Sequence, residues 1–196
     1  MEHEHESEIG LVVSSILAME TAASLDRLAL VGCLRERLEQ GLIAVVRATE
    51  RRVDRIELMA DGDEHFFLGY AASICRLVLH LAIEPRGRVA TITLRATKGQ
   101  RDAYTSVGWG ERDLDVGNSL LVACVLHVGV IELRRRGVRA IANQPYNASL
   151  RARYASMGFH RGEYLGLDDV AALTRAFSFI AEVYGKHGLN LFDLPS

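Results

Sequence analysis

Apolar residues at positions 9, 12, 13, 16, 17 and 19 (Ile9, Val12, Val13, Ile16, Leu17, Met19) recur with a helical period between Glu8 and Thr21. A second helix follows, with Ser24 as its expected cap and Leu25, Leu28, Val31, Leu34, Leu38, Leu42 and Val45 as its apolar positions. Together these predict a helical N-terminal segment over residues 9–48, preceded by a flexible acidic tail at 1–8. The two helices carry more aliphatic side chains than a one-sided surface helix needs, so they cover a sheet, a second subunit, or both. A homodimer is one arrangement that satisfies them. After Glu50 the rhythm shifts toward period two, and RVDRIELM, EHFFLGYAA, RLVLHLAIE and RVATITLRA read as four strands of an antiparallel meander. ADGD, SIC and the turn-forming Pro85 to Gly87 separate them.

The stretch TKGQRDAYTSVGWGERDLD has no apolar period and is longer than an ordinary connection, which marks it as a candidate functional loop. Residues 116–136 then form the longest helical pattern of the second half. Gly137 closes it and residues 138–143 follow as a strand. Strand, long helix, strand is a βαβ crossover, so residues 88–96 and 138–143 are expected to be parallel neighbours. Asn147 suits the cap of a short helix over Ala148 to Met157, which Gly158 ends. Leu150, Tyr154 and Met157 share one face of that helix, so Tyr154 is expected to point toward the protein body. HRGEYLGL reads as a further strand, and a last helix starts near Asp168 or Asp169; the tail after it reads as a short docking strand.

Length changes this picture little: 196 residues make one well-filled domain, here taken as residues 1–196. Charge excludes more. With 23 basic and 25 acidic side chains the formal net charge is −2, so nothing favours nucleic acid or an anionic membrane as partner. The arginines at 134–136 read as cations at a helix C-terminus. No apolar run is long enough for a membrane span, and the acidic opening is unlike a secretory signal. Cys33, Cys75 and Cys124 are odd in number and widely spaced in apolar surroundings, which points to free thiols of a reducing cytoplasm. No metal site is expected.

One constellation carries chemistry. Asn147, Tyr154, Gly158 and Phe159 hold the spacing N-x-x-x-x-x-x-Y-x-x-x-G-F, behind a helix ending in RRRG and a short strand. In this the chain resembles the GNAT superfamily of acyl-CoA-dependent N-acyltransferases, over roughly residues 76–166 and most specifically over 137–159. The resemblance implies an α/β (α+β) fold: a mixed, mostly antiparallel central sheet with helices on both faces and extra N- and C-terminal helices. It implies acetyl-CoA as cofactor and direct attack by a primary amine acceptor on the thioester. Tyr154 would be the general acid that protonates the leaving thiolate, since a phenol with a pKa near 10 is protonated at neutral pH. Asn147 would contact the pantetheine or phosphate region.

The family's pyrophosphate loop has two candidate positions here. One lies within RDLDVGNSLL, with Arg112, Val116, Gly117 and Asn118; the other is TSVGWG, with Gly108 and Gly110. The first departs from the pattern, because Asp113 and Asp115 stand where glycine is expected and would repel phosphate. Glu84, at the end of a strand, is the candidate general base, with His80, Glu111 and Asp115 as other carriers of that role. The alternative function is a GNAT-fold module with lost or altered catalysis, acting through binding or dimerisation.

Overall fold

Among the described residues the sheet has six strands in sequence order, β1-β2-β3-β4-β5-β6. The computed structural model describes residues 2–22, 26–49, 55–61, 64–71, 74–83, 89–96, 112–143, 145 and 148–192. Along the chain the elements are α1 (Glu2–Ala18), α2 (Arg27–Thr49), β1 (Arg55–Asp61), β2 (Glu64–Ala71), β3 (Ile74–Ile83), β4 (Val89–Ala96), α3 (Arg112–Arg135), β5 (Ala140–Ala142), α4 (Ala148–Ser156), β6 (Tyr164–Gly166) and α5 (Val170–Gly185). The fold is α+β. The first four strands form the antiparallel meander that alternation predicts, β4 and β5 are parallel across the α3 crossover, and β6 returns antiparallel to β5.

Several boundaries differ from the sequence expectation. Helix α1 begins at Glu2, so residues 2–8 continue the helix instead of forming a tail. Helix α2 is capped by Asp26, whose carboxylate accepts from the Ala29 amide at 3.0 Å; Ser24, the expected cap, lies outside the described residues. The buried stripe of α2 is Leu30, Leu34 and Leu38. Gly41 continues it, where a Cβ would come within 3.0 Å of Cys124 Sγ on α3; the missing side chain lets the two helices approach.

Helix α3 is buried at every position from Val122 to Arg134, the pattern of a core helix rather than of a surface helix on a sheet. Its cover comes from other helices. α2 and α5 pack against α3, and α2, α3 and α5 touch β1, β4 and β6 respectively. In register, Leu79 and Leu81 of β3 pair with Leu94 and Ile92 of β4, and Ala90 of β4 with Ile141 of β5.

Amphipathicity is clearest in α5. Ala172, Leu173, Ala176, Phe177, Ile180, Val183 and Tyr184 are buried, while Thr174, Arg175, Ser178 and Glu182 face out. Asp169 caps it by accepting from the amides of Ala171 and Ala172 at 2.9 and 3.1 Å. Its buried face meets α3 and α1. Two residues of the basic run that ends α3 do more than complement a dipole. Arg134 is buried and donates to the carbonyls of Leu17 (2.9 Å), Met19 (3.2 Å) and Leu167 (3.2 Å), and pairs with Asp168 at 3.3 Å. Arg135 pairs at 2.9 Å with Glu132, also buried. Leu191 and Phe192 form a turn, and the rest of the tail expected to dock as a short strand, residues 193–196, lies outside the described residues. Among the described residues no helix is long and apolar enough to cross a membrane.

Candidate functional site

The site is assembled at the C-terminal end of the parallel pair. β5 pairs with β4 through Val89–Ala140, Ala90–Ile141 and Thr91–Ala142, and there the ladder ends. β4 itself runs on to Ala96, still paired with β3. Asn143, the residue after β5, sends its amide the other way, to the Glu163 carbonyl at 2.9 Å. Among the described residues, then, β4 from Ile92 to Ala96 has an unpaired edge on the β5 side, a row of alternate N–H and C=O groups able to take an extended ligand.

Beside this parting lies a pocket lined by Val122, Val125 and Leu126 of α3, Ile141 of β5, and Asn143, Tyr154, Met157 and Phe159. The geometry of α4 follows its sequence pattern closely. Leu150 and Met157 are buried and Tyr154 is half-buried on the same face. The helix ends in a Schellman turn, with Phe159 N–H donating to Tyr154 O and Gly158 N–H to Ala155 O, each at 3.1 Å. Gly158 has φ +93°, and a Cβ there would meet the Ala172 carbonyl oxygen at 2.3 Å. Only glycine allows this reversal against α5. The turn folds Phe159 back so that its ring meets that of Tyr154 edge-on, with centroids 5.3 Å apart. Thus the glycine-phenylalanine pair fixes the tyrosine ring at the pocket wall.

Other sequence candidates fare differently. α3 starts at Arg112, so Arg112 belongs to its first turn. Val116, Gly117 and Asn118 lie beyond the four N-terminal residues whose amides are free; in a helix their N–H groups are committed to carbonyls four residues back. All three lie within α3 and not in a loop. Asp113 and Asp115, near the start of α3, are residue types that favour the N-terminal turn of a helix. Glu84, Gly108, Gly110 and Asn147 lie outside the described residues, as does Glu111. His80 lies in β3, in register with Thr93 of β4.

Sequence reasoning missed two features. Asn143 is one: it is only 7% exposed, and its Nδ2 has no acceptor among the described residues. Its signal was a lone amide ending the small apolar strand AIA. The other is a buried polar pair, in which His127 Nδ1 and the Tyr184 hydroxyl are 3.2 Å apart. The Phe177 ring stands edge-on to His127 with centroids 5.6 Å apart. Burial lowers the His127 pKa to about 4, raises the Cys124 thiol to about 12, and raises the Tyr184 phenol further, with Cys124 adding to that rise. The three are held neutral in the core, which suits packing and not catalysis.

This neutral histidine has a measurable consequence. Unfolded, His127 binds a proton below pH 6.5; folded, it binds one only near pH 4. Its contribution to stability is therefore complete above pH 6.5 and is lost as pH falls toward 4, by on the order of 3 kcal/mol. Denaturant unfolding at pH 7 and pH 4.5 should show this loss, and His127→Gln should remove most of it. An unchanged pH slope in that variant would contradict the assignment.

No protein-family model, curated protein or solved structure matches the chain. Its function has to be read from this pocket.

Proposed function

We propose that the protein is a GNAT-type N-acyltransferase, which moves an acetyl or short acyl group from coenzyme A to a primary amine by direct attack. One observation carries the reading: the β4–β5 ladder stops at Thr91 and Ala142 beside a pocket with Tyr154 in its wall. An open strand edge accepts the two amides of a pantetheine arm as a further strand would, and the apolar wall from α3 suits its hydrocarbon portions. Tyr154 then stands where a thiolate leaves and supplies its proton. The strand order and the α3 crossover support the family assignment, and the chain would act on coenzyme A in a cytoplasmic setting.

A specific observation favours the second reading, a module of the same fold that binds or dimerises without catalysis. The start of α3 carries Asp113 and Asp115, and the amides of Val116, Gly117 and Asn118 lie inside the helix, which weakens the case for pyrophosphate. Coenzyme A separates the two readings. Coenzyme A at 100 times its dissociation constant should stabilise the enzyme by about 2.7 kcal/mol, a rise in Tm of roughly 5–10 °C for a chain of this size. Thiol release from acetyl-CoA with a panel of primary amines then reports the transfer itself. No rise in Tm favours the binding module.

A further inference from the structure

We propose that the side-chain amide of Asn143 donates to the acyl carbonyl oxygen of the thioester held in this pocket. The inference rests on the acyltransferase reading and adds to it a residue on the reacting carbonyl. Asn143 is held in place from both directions: its chain enters from β5, and its N–H is tied to Glu163 O at 2.9 Å. Its side chain is almost wholly buried among the pocket residues, yet Nδ2 finds no acceptor among the described residues. The neighbouring walls, Val122, Val125, Leu126, Ile141, Met157 and Phe159, have no side-chain oxygen to offer.

A buried amide without a partner is unfavourable, and such a group in a native pocket calls for an acceptor supplied by a ligand. The walls decide which kind. A carboxylate would be stripped of water with no cation among these lining residues to meet it, whereas a neutral carbonyl on a short apolar chain matches both the donor and the hydrocarbon. Tyr154 shares the pocket, and in a thioester the carbonyl carbon is bonded directly to the sulfur that Tyr154 would protonate.

The step balances. The amine nitrogen forms a bond to the carbonyl carbon, and the C=O π pair moves onto oxygen, which accepts from Asn143 Nδ2. Collapse restores C=O and breaks the C–S bond. The thiolate takes the proton of Tyr154, and the ammonium proton passes through water to restore the phenol. A donor fixed at the oxygen before charge develops there acts as an oxyanion contact.

The test uses the full chain, acetyl-CoA, and S-ethyl-CoA, in which a methylene replaces the carbonyl. By calorimetry the unaltered protein should bind acetyl-CoA roughly tenfold more tightly than S-ethyl-CoA. Asn143→Leu should abolish that preference, with S-ethyl-CoA binding unchanged and kcat lowered roughly 10²- to 10³-fold. Because Nδ2 has no acceptor among the described residues, the Leu variant should melt no more than about 2 °C below the parent, and Asn143→Ala provides a second loss of the donor. A preference that survives in both variants, or an equal weakening of both ligands, overturns the Asn143 assignment and leaves the acyltransferase reading standing. Failure of either coenzyme to bind the unaltered protein overturns both.

Discussion

Tyr154→Phe is expected to lower turnover of acetyl-CoA with a competent amine by roughly 10²- to 10⁴-fold, the usual contribution of a positioned general acid. The variant removes one oxygen. It keeps the ring that meets Phe159 edge-on and the Leu150 and Met157 face on either side, so the shape of the pocket is retained. Coenzyme A affinity should accordingly stay within about twofold, and the loss should fall on kcat and kcat/KM equally, the signature of an interaction made in the transition state. Steady-state kinetics with calorimetric coenzyme binding would check this. Turnover equal to the parent's removes the acid role from Tyr154, and a loss confined to KM converts the residue into a binding contact.

The parts of this site that were legible in the sequence are those governed by local rules. The face shared by Leu150, Tyr154 and Met157 follows from helical period, and Gly158 follows from the left-handed residue a Schellman turn needs. The parallel β4–β5 pair follows from a helix too long to connect hairpin strands. What was not legible depends on tertiary placement. Asn143 looks like an ordinary strand end until β5 is seen to stop short of β4, and only then is its amide enclosed without a partner. The Val122, Val125 and Leu126 wall is hidden for a related reason: α3 is apolar all round, so its period cannot tell which residues meet a cavity and which meet α2 or α5. At the start of α3 the acidic residues Asp113 and Asp115 already favour a helix start, and Val116 to Asn118, the first candidate for a pyrophosphate loop, lie within that helix.

Arg134 is the position where one substitution should cost the fold most among the polar residues of the core. Its guanidinium joins three chain segments: the carbonyls of Leu17 and Met19 at the end of α1, the Leu167 carbonyl before α5, and α3, which carries it. Last-turn carbonyls of a helix lack intrahelical donors, and here a neighbouring helix supplies them. Hydrogen bonds with a charged donor contribute about 1.5–3 kcal/mol each. Some of the freed oxygens regain water, since two of the three bonds are only part-buried, so Arg134→Ala should destabilise by about 3–5 kcal/mol. Arg134→Met keeps the aliphatic stem and separates packing from hydrogen bonding; it should recover no more than about 1 kcal/mol. Lysine carries the charge but has no planar fork with which to meet carbonyls on separate segments, so Arg134→Lys should fall between the parent and alanine. Denaturant unfolding of the three variants decides the matter. A methionine variant as stable as the parent would mean that these carbonyls are satisfied without the guanidinium, and the tie between α1, α3 and the start of α5 would have to come from apolar packing alone.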